Sequence, residues 1–527
     1  VVPQDYAAYT PRDQAVWRHI LRRLVRHLST RAHPSYLRGL EATGIGTERI
    51  PSMDEMNRKL ERLGWSAVSV RGFIPPAVFT ELQAIRVLAI AQDIRTHEHI
   101  EYTPAPDIVH ESAGHAPILA DPEYATFLQR AGELGFRAIA SAEDDDVYQA
   151  IRALSIVKED PAATREEVSA AEERLAGALR SRRFVSEATR ASRLYWWTAE
   201  YGLVGPMGDP KIYGAGLLSS IGESTHCFSS EVERIPLDAG AAEVDFDITR
   251  MQPQLFVARD FAHLAEVVEA LARTLSWRRG GDHGLDQAIA ARTVNHLVLA
   301  DGTEVTGVVR RRVEGARAPA GGLASALAVV DGPTQLSRSG RALAPPGELP
   351  VVVAFGDGPV PARGGPFSLR MASGLVLSGR AVGGAVAELR ARVGSRELDV
   401  PPRAVLLATP SLPSVAGGPG DPGSWDERFG AQVPDGEGEA RARAHRAGAL
   451  PARLAALYAE VRAMRERGSI DRERLAAVEH EARAFPDDWL LRAELEELGA
   501  GRADEVAARG GTADAAARME YPHPVEP

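Results

Sequence analysis

The stretch PDIVHESAGHAP, residues 106–117, sets His110, Glu111 and His115 close together. Two imidazoles beside a carboxylate are the raw material of a metal centre ligated by nitrogen and oxygen. In the zinc-protease signature the histidines stand four apart on a helix, with a glutamate between them as general base. Here they stand five apart. On a regular helix a four-residue step turns the side chain by roughly 40° and a five-residue step by roughly 140°, so these histidines cannot face one metal from an unbroken α-helix. Pro104 and Pro106 lie just upstream. They predict that His110 stands at a loop-to-helix junction while His115 projects from the first turns. A zinc site with Glu111 as base also needs a third ligand close downstream. The alternative is two histidines and one distant carboxylate, the facial arrangement that leaves positions on iron open for dioxygen. Glu200, a single acid among Tyr195, Trp196, Trp197 and Tyr201 in LYWWTAEYGLVG, is the candidate. A glutamate on an amphipathic helix can equally reach out to water, and a histidine pair can be structural, so the residues alone leave both readings open.

Positioning such groups takes a sizeable scaffold, and 527 residues supply two to four domains. Up to about residue 290 the chain reads as mostly helical, with apolar residues at three-to-four spacing in DQAVWRHILRRLVRHL, VFTELQAIRVLAIAQDIR and FAHLAEVVEALARTL. Pro and Gly interrupt that pattern in EYTPAPD and GPMGDPKIYG, on either side of the candidate ligands. Over residues 291–410 the pattern predicts a small β-rich domain, opening with two strands about the Asp-Gly of HLVLADGTEVTGVVRRRV. Residues 411–441, rich in Pro and Gly, read as a linker, and 442–527 as a segment with two amphipathic helices, LPARLAALYAEVRAMRERG and DRERLAAVEHEARAFPDDWLLRAELEEL.

Composition narrows the function. A net charge of -11 speaks against a nucleic-acid or anionic-membrane surface and favours a small-molecule substrate. Cys227 is the sole cysteine, so an internal disulfide framework and a thiolate metal cluster are excluded, and a reducing cytoplasm is the expected compartment. The N-terminal VVPQDYAAYTPRDQAVW lacks the pattern of a secretory signal, and no apolar run reaches the length of a membrane span.

Three blocks, IRTHEHIEYTPAPDIVHESAGHAPILADPEYA, YWWTAEYGL and KIYGAGLLSSIGE, together resemble the tetrahydropterin-dependent aromatic amino acid hydroxylases. The likeness runs in order from DYAAYTPRDQAVW through GWSAVSVRGFIPPAVF to MQPQLFVARDF, roughly residues 1 to 275. It implies a mainly α catalytic domain over residues 1–290, with Fe(II) on His110, His115 and Glu200. It further implies that Arg95 binds the amino-acid carboxylate, that Asp107 holds its guanidinium, and that Thr103 and Ser219 complete the polar end. Trp196 would line the ring pocket, with Gly214 and Gly216 letting the backbone approach the amino acid. The pterin would lie along Gly72 and Phe73, stacked on Phe79, with Glu111 and Tyr195 at its metal side. Pro75 and Pro76 depart from the vertebrate members, which carry hydroxyl residues there, so those polar contacts are lost.

The implied chemistry is ring hydroxylation, with dioxygen split between tetrahydropterin and iron: one oxygen leaves as the 4a-hydroxypterin and the other attacks the ring as an iron(IV)-oxo. Trp196, and the apolar Ile248 where tyrosine hydroxylases carry an acid, favour phenylalanine to tyrosine over the tryptophan reaction. The chain starts directly in the catalytic domain and lacks the single heptad helix that tetramerises the animal enzymes, so packing or self-assembly is the role expected of the added C-terminal region. Two rival readings are a zinc hydrolase built on HESAGH and a non-catalytic binding module.

Overall fold

The computed structural model describes residues 1–509 apart from 73, 98–99, 101–105, 161, 249, 316–323, 357–363, 372 and 425–449. Helices dominate as far as Ala291. Pro11–Leu28 starts cleanly because Thr10 and Asp13 satisfy each other's backbone N–H groups in a capping box. Its apolar stripe of Trp17, Leu21, Leu24 and Leu28 is fully buried. Pro122–Arg137, capped by Asp121, lays Tyr124, Phe127 and Leu128 into the same core. Two small sheets complete this half: Ser66–Val70 parallel to Val87–Ala91, and four short strands between Leu203 and Ala258.

Helices Ala142–Glu159 and Arg165–Ser181 form a hairpin with a separate small core of Val147, Ala150, Leu154, Ala171 and Leu175. Its base is pinned by Asp144, which accepts from Ser186 Oγ at 2.6 Å and Thr189 Oγ1 at 2.8 Å, and by Glu143, which pairs with Arg292.

The β-rich region spans Val294 to Gly417. Val294–Val298 and Thr303–Glu314 pair antiparallel across the Asp-Gly turn read from the sequence, with Gly302 at φ 80°. Val351–Phe355 shows why its run is wholly apolar. Val351, Val353 and Phe355 enter a core shared with helix Gly281–Ala291, while Val352 and Ala354 enter a second core on the other face.

Two expectations need correction. The stretch read as a linker from residue 411 begins as structure: Ser414–Gly417 pairs with Val294–Val298, and a Cβ on Gly417 would stand 2.3 Å from Ala138 O, so only glycine permits the close approach. The second C-terminal helix is two, Arg472–Ala482 and Trp489–Arg509, because Pro486 interrupts the ladder between them.

The C-terminal helices do not stand apart. Leu457, Tyr458, Val461, Leu475 and Leu491 belong to the same hydrophobic core as Trp17 and Trp197. Arg18, 2% exposed, meets Glu494 at 2.8 Å and Glu48 at 2.7 Å, and Arg465 meets Glu494 at 2.7 Å. Among the described residues no helix is long and apolar enough to cross a membrane.

Candidate active site

The five-residue histidine spacing has a different solution from the one expected. Val109–His115 is a π-helical turn, not a loop junction followed by an α-helix. A ladder of i→i+5 hydrogen bonds returns residues five apart to nearly the same direction, so His110 and His115 face one point. Their rings lie 5.0 Å apart and almost perpendicular. Glu200 ends a second π-helical turn, Trp196–Glu200, closed by Tyr201 N–H donating to Trp196 O at 2.9 Å. The two turns can approach because glycine lies at their contacts with Ala215–Leu218. A Cβ on Gly114 would stand 2.8 Å from Ala215 O, and one on Gly214 only 2.4 Å from Glu200 O. Gly216 is similarly pressed on the Tyr201 ring, so these glycines set the packing behind the carboxylate and do not end a helix.

The three side chains converge: Glu200 Oε2 is 3.3 Å from His110 Nε2 and Oε1 is 3.2 Å from His115 Nε2, with all ligand atoms within 4.8 Å of one another. His115 is 1% exposed, and its Nε2 makes no hydrogen bond among the described residues. A buried nitrogen aimed at a shared point beside two other donors fits a metal ion there. Burial opposes ionisation of Glu200, but the adjacent His115 and His110 hold its carboxyl well below the usual range. Ser219 Oγ donates to Ala215 O at 2.7 Å, so its oxygen is left to accept from His110 Nδ1, 3.0 Å away. That bond places the His110 proton on Nδ1 and leaves Nε2 free toward Glu200.

Arg95 and Asp107 are buried, 5% and 3% exposed, which removes the bland reading of a solvated surface pair. Asp107 accepts from Arg95 Nε at 2.9 Å, Nη2 at 2.8 Å and the backbone N–H at 2.9 Å, and also from His110 N–H at 3.1 Å. Burial alone would raise the Asp107 carboxyl, but the Arg95 charge and these hydrogen bonds outweigh it and hold it low. Arg95 Nη1 donates to Ser219 O at 3.2 Å, tying the guanidinium to the residue that orients His110.

A cavity of about 1670 Å³ opens over this cluster. Trp196 lines it, clamped between Phe246 at 4.3 Å and Tyr201 at 4.6 Å, both stacked, so its edge is what remains for a ligand. Phe79, half-buried, meets Tyr195 edge-on at 5.8 Å. Gly72, Pro75, Pro76 and Ile248 line the cavity as well. Glu111 Oε2 is 4.0 Å from His115 Nε2, and burial first, then Glu200, pushes its carboxyl up to about 8, against the pull of His115. Phe73 and Thr103 lie outside the described residues. The sequence reading missed Phe246, whose segment VDFDI alternates like a strand yet forms a loop, and Gln83, a buried amide in an otherwise apolar helical stripe.

Two histidines and one carboxylate on paired π turns, under a mixed aromatic and polar cavity, define a non-haem metalloenzyme of the facial-triad class. The family model for biopterin-dependent aromatic amino acid hydroxylases matches residues 3–154 and 184–279. A phenylalanine-4-hydroxylase of Mesorhizobium japonicum is 30% identical over 292 residues, 54% of this chain and 90% of that one. Another, of Pseudomonas aeruginosa, is 32% identical over 273 residues, 51% and 86% of the two chains. The solved structure of Chromobacterium violaceum phenylalanine hydroxylase with iron(III) and 7,8-dihydrobiopterin is 28% identical, covering 52% of this chain and 85% of that one at a TM-score of 0.41. The chain belongs to the biopterin-dependent aromatic amino acid hydroxylase family. It is a pterin-dependent aromatic amino acid monooxygenase.

Proposed function

We propose that the chain hydroxylates free L-phenylalanine to L-tyrosine, using iron(II), a tetrahydropterin and dioxygen. The convergence of His110, His115 and Glu200 on one point, with their ligand atoms all within 4.8 Å of one another, carries the metal assignment. Iron(II) with a reduced pterin supplies the activation of dioxygen, which closed-shell substrates cannot achieve alone. The chain's own residues do the rest. Arg95, held by Asp107, offers its outward N–H groups to the amino-acid carboxylate, and the Trp196 edge and Ile248 bound an apolar slot for the ring. Phe79 and Tyr195 form the aromatic wall against which the pterin lies, with Glu111 beside it and the backbone at Gly72 at its rim.

Several observations support phenylalanine over its rivals: the two relatives are phenylalanine-4-hydroxylases, and Ile248 puts no charge near the ring pocket. The sole cysteine, Cys227, is buried and suits a reducing compartment such as the cytoplasm. The test is product analysis by mass spectrometry after incubation with iron(II), a tetrahydropterin and each aromatic amino acid separately. Tyrosine from phenylalanine is the expected main product. Faster conversion of tryptophan or tyrosine would overturn the substrate assignment.

A further inference from the structure

Helix Pro76–Ala84 holds Tyr195 at two points one turn apart. Phe79 presents its ring at 80° to that of Tyr195, and four residues later Gln83 Nε2 lies 2.6 Å from Tyr195 Oη. Residues four apart share one face of a helix, so a single rigid element sets both the tilt of the tyrosine ring and the environment of its hydroxyl. The element is pressed close to its neighbour: a Cβ on Gly132 of helix Pro122–Arg137 would stand 2.6 Å from Ala84 N and 2.8 Å from Gln83 Cβ.

Gln83 is 1% exposed, and its Oε1 has no hydrogen-bond partner among the described residues. The structure sets the amide nitrogen, not the oxygen, against the phenol, so the amide donates and the phenol oxygen accepts. The Tyr195 O–H proton is thereby turned away from Gln83. Tyr195 lines the cavity, where Glu200 and Glu111 are among the groups acting on it.

We infer that Gln83 is a positioning residue for the hydroxylation. By donating to Tyr195 Oη it locks the tyrosine against Phe79 and turns the phenol O–H into the cavity as a hydrogen-bond donor to the bound pterin. This rests on the placement of the pterin along Phe79.

The test uses the full chain loaded with iron(II), without oxygen, titrated with 7,8-dihydrobiopterin, which binds without turning over. Wild type, Gln83→Leu, Tyr195→Phe and the double variant are compared by calorimetry, with circular dichroism as a check on folding. Gln83→Met replaces Gln83→Leu if the branched side chain does not fold. Gln83→Leu is expected to weaken dihydrobiopterin binding about three- to tenfold, the scale of one buried hydrogen bond. In aerobic assays the same variant should consume more tetrahydropterin than it forms hydroxylated product. In the Tyr195→Phe background the substitution should add less than about twofold, since the hydroxyl it acts through is gone. Wild-type binding and coupling in Gln83→Leu would overturn the role, as would an equal loss with and without the Tyr195 hydroxyl, which is the mark of packing alone. Phe79→Ala separates the premise: unchanged dihydrobiopterin binding there overturns the pterin placement and this inference together.

Discussion

Replacing Arg95 with lysine tests the substrate anchor most sharply, because charge is kept while geometry is lost. In the structure Nε and one hydrogen of Nη2 are committed to Asp107, and one hydrogen of Nη1 to Ser219 O. One further hydrogen on each of Nη1 and Nη2 remains for a carboxylate. A lysine ammonium at this depth can satisfy Asp107 or the substrate but cannot reproduce the fork to both. Losing the charge-assisted pair should cost about 1.5–3 kcal/mol of amino-acid binding, a rise of roughly ten- to a hundredfold in the phenylalanine Michaelis constant. The pterin constant should change little, since Arg95 is committed to Asp107 and Ser219 and not to Phe79 or Tyr195. A misplaced ring also exposes the activated oxygen to other fates, so pterin oxidation should outrun tyrosine formation. The assay follows both Michaelis constants and the ratio of pterin consumed to tyrosine formed. An unchanged phenylalanine constant with one pterin consumed per tyrosine would refute the anchor and leave Arg95 as the buried partner of Asp107 alone.

His110→Ala, His115→Ala and Glu200→Ala should each lose iron and activity while circular dichroism stays that of the folded chain; wild-type iron content in all three would rule out the triad. Ser219→Ala removes the acceptor for His110 Nδ1 and should weaken iron binding about ten- to a hundredfold, measured by chelator competition. Gly214→Ala drives a methyl group into Glu200 O and should destabilise the chain by about 1–3 kcal/mol and lower its iron content, read from melting curves and metal analysis. Glu223 is 2% exposed and burial pushes its carboxyl up to about 7, so the folded chain holds a proton that the unfolded chain releases. Stability from this residue is therefore full below the ordinary glutamate range and declines as pH rises to about 7, by up to about 3 kcal/mol, a slope that Glu223→Gln should abolish in urea titrations across pH.

The ligands were legible in the sequence as residue types, but their geometry was not. Five-residue spacing forbids a shared face on an α-helix, and the way out was a π ladder that local text does not announce. That ladder depends on Gly114 packing against Ala215, a contact made a hundred residues away. The Asp-Gly hairpin was legible because its turn chemistry is local. Ser414–Gly417 was not, since a short strand in Pro/Gly-rich text becomes one only through its partner Val294–Val298. Arg95 and Asp107 looked like a solvated pair because sequence carries no measure of depth.

The pairing of Arg18 with Glu494 ties the burial of an early helix to the synthesis of a much later one. The two residues are 476 positions apart, and at about 5–20 residues per second a ribosome needs roughly 24 to 95 seconds to deliver the second after the first. Throughout that interval helix Pro11–Leu28 carries a guanidinium whose native burial has no counter-charge from Glu494, and an apolar flank whose cover, around Tyr458 and Leu491, does not yet exist. Early termination therefore yields a chain with its iron ligands present and its core open, a ready client for chaperones and proteases. The topology thus makes one core of two distant stretches: the flank of Pro11–Leu28 is covered only once Tyr458 and Leu491 have been made.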